Sequence, residues 1–520
     1  MLGIIFLLVQ AGVSLFALHR IRVFDVLPTK YLVLLVVVLM LCILLVTVLQ
    51  FFDITNIIGD VLSVLVTIAL IWVIIAVGRV SKTLQTGMKA KGTTDIAMQL
   101  IVMNDSEAAT VNDVADGVIG ICNKEEDYER YVDAAKKLSS DTGIEIQAIE
   151  YADEISLATA LVKGEVKGIF LVSGYKSIVD DYFQALGEDD ECFLGTMENG
   201  IVKAFSDATK IVKTYTLTVE VEKTPEVTEA GYKGDNTERE IIKTSITPFV
   251  VYISGRDTYG DISEFSHSDV NLIVCVNPVT KQVLMVSTPR DSYLPIPGVT
   301  DGSGYYDKLT HAALYGKNCS ASIATLEHCY GVDVDYYVKV NFSSLEDIVD
   351  ALGGVSVYSA YDFDSMNILG YHFNKGFNDV DGERALVFCR ERYAFPDGDY
   401  QRGRDHLEMI KAILRKAMSP AILTSYSEIL DQVSGNVETN IAMEEITELV
   451  KMQLNDSAEW NFVSYSAKPA NNGEMRYTYS APSQTLYVGI LDPDSIQEAS
   501  DLMEKVLNGE ILPKDDTPTS

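Results

Sequence analysis

The sequence predicts an α/β protein in three parts: a helical membrane anchor, a small α/β unit and a larger α/β domain. Three observations lead there. The apolar residues of the first eighty positions fall into long runs. Beyond them, short apolar runs alternate with stretches of helical period, the pattern of strands interleaved with helices. From residue 257 to 404, aspartates and arginines recur at the ends of such runs.

Residues 1–18, 31–52 and 57–78 are almost wholly apolar, each close to the ~20 residues a helix needs to cross hydrocarbon. Three transmembrane helices within residues 1–80 are therefore expected. No charged segment precedes the first run and two further runs follow, which argues against a cleaved leader. Three spans put Arg20, Arg22 and Lys30 on the same side as Arg79, Lys82, Lys89 and Lys91. That bias alone would make this side cytoplasmic, but large domains translocate with little regard to flanking charge, so the charges leave orientation open.

The formal net charge of −33 argues against a nucleic-acid partner, which calls for a basic stripe. Of the cysteines, Cys42 falls inside a span, and the others show no CxxC or Cys/His metal spacing. On one helix, Cys319 and Cys329 would stand roughly 15 Å apart, too far to bridge, so free thiols are expected.

Residues 95–218 read as a small accessory α/β domain, with apolar runs at Met98–Met103, Gly117–Cys122, Ile144–Ile149 and Gly168–Val172. With no glycine-rich phosphate loop and no His/carboxylate cluster, a spacer role is expected for it. Residues 219–247 are charged and broken by Pro and Gly, and read as a linker. A catalytic domain is expected over 248–510 and a disordered tail over 511–520.

Within that domain, Phe249–Ser254, Val270–Val276 and Gln282–Ser287 read as buried strands, the last two joined by an Asn-Pro turn that makes them antiparallel. If the first strand also runs opposite to the second, Asp257, Asp269 and Arg290 meet at one sheet edge. Each alone has a blander reading, since an Asp in a turn is commonly a cap and an Arg-Asp pair after a strand is commonly structural. A later cluster holds Arg390, Arg392, Arg402 and Arg404. Helical period sets in there, with Asp399 as a candidate cap and Arg402 and His406 on one face at i, i+4. A helix start bearing an arginine favours anions through free N–H groups and through the side chain. Carboxylates that bind a divalent metal and arginines that bind phosphate oxygens together describe a pyrophosphate pocket.

The ordered series SGRDTYG, HSDVNLIVCVNP, STPRDSYLPIPG, YDKLTHAALYG, DVDYYVKVNF, IVDALGGVSVY and RERYAFPDGDYQRGRDH resembles the LytR-CpsA-Psr family of cell-envelope enzymes. Three spans followed by an accessory domain resemble its capsule-assembly branch. The resemblance implies an α/β/α domain with a mixed central sheet on the extracellular face of the cell membrane. It also implies a phosphotransferase that moves a glycopolymer, of capsule or teichoic-acid type, from a polyprenyl-pyrophosphate carrier to peptidoglycan. By motif, Asp257 and Asp269 would bind Mg2+, and Arg290, Arg390, Arg392, Arg402 and His406 would bind pyrophosphate, with Asp399 on a further motif position near the site. Three positions depart from the family pattern: His267 where arginine is usual, His406 where glutamine is usual, and Thr258 where many members have arginine. A histidine offers fewer donors and titrates nearer neutrality, so phosphate affinity or pH dependence is expected to differ. Segments 311–357 and 407–425 are candidates for the apolar walls a polyprenyl chain needs.

Two rival readings remain at this level. One is a non-catalytic sensor or regulator of envelope assembly; the other is a lipid pyrophosphatase, with water in place of the sugar hydroxyl.

Overall fold

A computed structural model of the chain describes residues 2–24, 29–50, 55–86, 93–124, 127–197, 200–220, 246–256, 258–259, 262, 266–316, 319–419, 429, 436–456 and 458–515. Asp257 and almost all of the expected linker lie outside the described residues.

Helices α1 (Leu2–Phe24), α2 (Thr29–Gln50) and α3 (Asn56–Thr86) pack together through Ala17, Leu39 and Leu70. Their polarity is inverted relative to a water-soluble bundle. Gln10, Ser14 and Ser63 are buried between helices, whereas Leu8, Leu15, Leu44 and Trp72 face outward, as in helices that lie against lipid. Among the described residues two helices, not the expected three, are long and apolar enough to cross a membrane: Gly3–Arg22 and Lys30–Gln50. The apolar stretch of α3, Asn56–Trp72, is shorter.

The next unit is a five-stranded sheet built from β1 (Thr93–Met103), β2 (Val118–Cys122), β3 (Gln147–Tyr151), β4 (Gly168–Val172) and β5 (Thr209–Glu220) in the order β3-β2-β4-β1-β5. Helices α4 (Tyr128–Thr142) and α5 (Glu154–Val162) share its core with Phe170 and Leu171 of β4. Helix α6 (Lys176–Gln184) follows β4 and, through Asp181, reaches the C-terminal domain.

That domain is organised on a mixed six-stranded sheet. Its strands are β6 (Phe249–Arg256), β7 (Ser268–Asn277), β8 (Gln282–Ser287), β11 (Tyr336–Val340), β12 (Glu438–Thr439) and β13 (Asn461–Ser466), in the order β12-β11-β6-β7-β8-β13. Between them in sequence lies the short pair β9 (Tyr293–Leu294) and β10 (Asp307–Lys308). Strands β6–β7 and β7–β8 pair antiparallel as expected, while β11–β6 and β8–β13 pair parallel. The central strands are buried on both faces, which is why they read as unbroken apolar runs. Val250, Tyr252, Ile273 and Leu284 face α7 (Ser320–Tyr330) and α11 (Pro493–Leu507). Phe249, Val251, Val274 and Met285 face α10 (Asp399–Ala417) through Leu407. A third core joins α8 (Phe342–Ala351) to α9 (Gly382–Arg390) and α10.

All seven cysteines are free thiols. The tail departs from expectation at its start. Leu512 is buried in the core of the C-terminal domain, and Asp515 pairs with the buried ammonium of Lys411 at 2.9 Å. Asp515 also accepts from the Ser464 N–H and hydroxyl, and the Leu512 backbone bonds to Gln282 and Asn461, so the start of a segment whose composition reads as loose is anchored; residues 516–520 lie outside the described set.

Candidate active site

Strands β7 and β8 pair with Leu272 opposite Ser287, so the first residues of β7 and those just after β8 share an edge. Asp269 and Arg290 meet there, with Arg290 Nη1 donating to Asp269 Oδ1 at 3.0 Å. Helix α10 delivers the second guanidinium. Arg402 Nη1 lies 3.5 Å from Asp269 Oδ2, and its Nη2 lies 2.5 Å from Asp399 Oδ1. Two glycines permit this approach: Gly398, at φ +52°, begins the helix in a backbone conformation L side chains rarely adopt, and a Cβ on Gly403 would press on Ser287 Oγ at 3.3 Å. Asp399, expected as the cap, is instead the first helical residue and the Arg402 partner, because Gly398 takes the cap position.

Burial alone would raise the Asp269 pKa. Arg290 and then Arg402 outweigh it and hold the carboxyl well below the usual range. It is therefore a fixed anion that orients two arginines.

Two residues that motif reading did not single out complete this charge cluster. Lys308, almost fully buried, places Nζ 2.9 Å from Asp291 Oδ1 and 3.1 Å from Asp181 Oδ2. Asp181 Oδ1 is also 3.6 Å from Arg290 Nη2. Burial opposes the charge on both Asp181 and Lys308, yet the surrounding opposite charges win, lowering the first pKa and raising the second. Because Asp181 belongs to α6, the accessory unit is not a mere spacer; it contributes a carboxylate to the cluster. Arg290 Nε, by contrast, is buried with no acceptor in hydrogen-bonding geometry among the described residues. A buried guanidinium donor without an acceptor suits an anionic ligand.

Arg390 and Arg392 flank Glu391, just past α9. The Glu391 carboxylate accepts from the Ser365 hydroxyl and from the backbone N–H groups of Met366, Asn367, Arg392, Tyr393 and Ala394. This fixed turn turns both arginines to one side. Arg390 stacks 4.6 Å over the Phe342 ring, and Arg392 donates to the Tyr393 hydroxyl at 2.6 Å. Asp269, Arg290, Arg390, Arg392, Arg402 and His406 all border one cavity of about 570 Å³, so every expected site residue that is described converges on it. Arg256 and the carboxylates of Asp180, Asp181 and Asp207 also line it, and apolar side chains form part of the rest. Phe342 and Leu345 of α8 and Met409 and Ile410 of α10 fall within the two segments expected to supply them, while Met197 and Ile201 of the accessory unit were not foreseen. Asp269, Arg290 and Arg402 also border a second open cleft, of about 940 Å³.

The substituted histidines are both buried. The ring of His267 packs edge-on against His311 at 5.4 Å, and burial first, then His311, lowers its pKa well below the usual value. His406 donates from Nε2 to the Cys389 carbonyl at 2.8 Å, tying α10 to α9. Burial, reinforced by Arg402, lowers its pKa from 6.5 to about 4, so it does not titrate near neutrality as its type suggests. A folded-state pKa below the unfolded one means that the unfolded chain takes up the proton first as acid is added. His406 should therefore cost stability progressively as pH falls from 6.5 toward about 4. Its ring resonances followed by NMR should show no step near neutrality.

No group of three or more His, Cys, Asp or Glu side chains among the described residues could hold a metal ion unaided. Mg2+ commonly takes only one or two carboxylates, completing its shell with water and substrate phosphate. Asp269, a hard oxygen donor kept ionised at the cavity edge, fits one such position.

The model of the LytR_cpsA_psr family matches residues 207–489, more than half the chain. The chain belongs to the LytR_cpsA_psr family. A relative from Enterococcus faecalis, named polyisoprenyl-teichoic acid–peptidoglycan teichoic acid transferase TagU, is 36% identical over 203 residues, covering 39% of this chain and 64% of its own length. A Bacillus mycoides protein of the same name is 31% identical over 247 residues, covering 47% of this chain and 78% of its own. The crystal structure of B. subtilis TagV aligns with 50% of this chain and 98% of its own at 25% identity, with a TM-score of 0.42. The family match takes in β6–β8 and α10, and so both Asp269–Arg290 and Arg402.

Proposed function

We propose that this protein is a membrane-anchored phosphotransferase that moves a glycopolymer from a polyprenyl-pyrophosphate carrier to peptidoglycan. The observation that carries the proposal is the cavity that joins five arginines and Asp269 to a patch of apolar side chains. The guanidiniums suit a diphosphate and the patch suits a polyprenyl chain. The relatives' names supply the class of donor and acceptor. The two apolar N-terminal helices would hold the chain in the cell membrane, with both large units on the outer face, where peptidoglycan is.

In this mechanism an acceptor hydroxyl enters through the open cleft and attacks the phosphorus that carries the saccharide. The new P–O bond forms as the bond to the polyprenyl phosphate breaks, the hydroxyl proton passes to solvent water and the lipid phosphate leaves. Arg290 and Arg402, oriented by Asp269, meet the phosphoryl oxygens, and Arg390 and Arg392 meet the leaving phosphate beside the apolar patch. Catalysis then rests on positioning and charge neutralisation rather than on covalent chemistry. Asp257 and Asp269 would hold Mg2+, which when bound supplies further neutralisation of phosphate charge.

Incubating the purified full chain in detergent micelles with Mg2+, a polyprenyl-pyrophosphate-linked saccharide and peptidoglycan fragments tests this reading. Saccharide covalently joined to the glycan is the expected product. Free phosphorylated saccharide would point to hydrolysis, and unchanged lipid to a binding protein. Asp257→Ala should abolish turnover, and chelation of Mg2+ should stop turnover of the unaltered chain. Magnesium-dependent turnover in Asp257→Ala would remove that residue from the metal site.

A further inference from the structure

We infer that a tyrosine surface beside the open cleft is a saccharide platform and that its occupant is the acceptor glycan strand. This assignment rests on the transferase reading and adds where the acceptor is held. The surface is built on a hairpin of β14 (Glu474–Tyr477) and β15 (Thr485–Val488), in which Met475 lies opposite Tyr487 and Tyr477 opposite Thr485. Alternation turns Met475, Tyr477 and Tyr487 to solvent, while Leu486 and Val488 are buried beneath them. Tyr305 and Tyr306, which precede β10, extend the surface. Tyr305 lies 6.3 Å from Tyr477 between ring centroids, and Tyr306 lies 5.4 Å from Tyr293. Tyr305, Tyr306, Tyr477 and Tyr487 are each 38–48% exposed, far more than aromatic rings that serve only as core.

Hydrogen bonds hold the Tyr293 and Tyr487 rings and tie Tyr293 to the backbone of Tyr306 and Tyr477. Tyr293 donates its hydroxyl to the Tyr477 carbonyl at 3.0 Å and accepts the Tyr306 N–H at 3.1 Å, and Tyr487 donates to the Asn472 carbonyl at 3.1 Å. Pinned rings lose little freedom when they bind, and their electron-rich faces pack against the C–H face of a pyranose. The platform is continuous with the reacting centre. Tyr487, Asn471 and Asn472 line the same cleft as Arg290 and Arg402. Gly489, just past β15, donates to the Asp291 carbonyl at 2.8 Å and accepts the Tyr293 N–H at 2.9 Å. Charge selects among saccharides. The one arginine of the hairpin, Arg476, is paired with Glu474 at 2.7 Å. A polymer with a charge on every repeat would require uncommitted cations, whereas the uncharged amino-sugar rings of a glycan strand need only rings and amides.

Calorimetry on the full chain in micelles tests the platform with two probes, inorganic pyrophosphate and a tetrasaccharide of alternating N-acetylglucosamine and N-acetylmuramic acid whose lactyl carboxyls are amidated, as they are in a peptide-bearing strand, and so uncharged. Tyr305→Ala/Tyr477→Ala should weaken tetrasaccharide binding about tenfold, the loss of two stacking faces, with pyrophosphate affinity unchanged. Tyr305→Phe/Tyr477→Phe keeps the rings and should keep the affinity. Unaltered tetrasaccharide binding in the alanine variant, or a change in oligomeric state in its place, would overturn the assignment. Failure of the unaltered chain to bind pyrophosphate would count against the transferase reading instead, and the tetrasaccharide comparison would still decide the platform.

Discussion

Replacing Arg290 by alanine should weaken inorganic pyrophosphate binding at least about tenfold, since a charge-assisted hydrogen bond contributes ~1.5–3 kcal/mol. Turnover should fall further. Arg290 is the hub of the cluster: Asp269 and Asp181 lie within 3.6 Å of it, Asp291 at 3.8 Å and Asp399 at 3.9 Å. Its removal deletes a phosphate contact and also leaves these carboxylates to repel an incoming diphosphate. Lysine at this position keeps the charge but not the planar fork, so Arg290→Lys should recover part of the affinity and little of the turnover. Calorimetry and product formation read the two effects separately. Pyrophosphate affinity equal to that of the unaltered chain in Arg290→Ala would remove the residue from the site.

A second large effect is expected at Lys308, and it is one of stability. Its ammonium is the closest cation to both Asp291 and Asp181. Lys308→Met preserves much of the stem's bulk but leaves the two carboxylates facing each other without it. Removing one partner of a buried pair costs ~3–5 kcal/mol, and the low end applies because both carboxylates retain some exposure. The pH dependence follows from the sign of the shift. The Asp181 pKa is depressed below 3.8 in the folded chain, so its contribution is present above that value and is lost as pH falls through the folded pKa. Without Lys308 that depression shrinks. The deficit of the variant should thus be greatest at neutral pH and narrow on acidification below about 4, as followed by denaturant unfolding at several pH values. A constant deficit across that range would show that the loss is one of packing alone.

Much of the C-terminal domain was legible because its information is local. Three apolar runs and an Asn-Pro turn were enough to place Asp269 and Arg290 at one edge, since antiparallel pairing fixes which strand ends coincide. Arg390, Arg392 and Arg402 were visible as a basic cluster in an acidic chain. Asp181 was not, because it belongs to another folding unit and only tertiary packing brings it to Arg290. Lys308 sits in the YDKLTHA motif, where its charge beside an apolar helix start was the available signal; a lysine is far more often solvated than buried. Glu391 was hidden for a similar reason, since one glutamate between two arginines reads as an ion pair rather than as an acceptor for five backbone amides. The tail was misread because composition cannot register a lone Leu512 in a pocket or an Asp515 that reaches Lys411.

The carboxylate that α6 lends to Arg290 and Lys308 ties the electrostatics of the two units together. An excised C-terminal unit would keep its strands and arginines but carry one counter-charge fewer at its centre. It would bind small phosphate esters more tightly than the intact polypeptide and unfold more readily. In the intact polypeptide, an arriving diphosphate must share these two cations with Asp181, so docking of the accessory unit and occupancy of the site are thermodynamically linked.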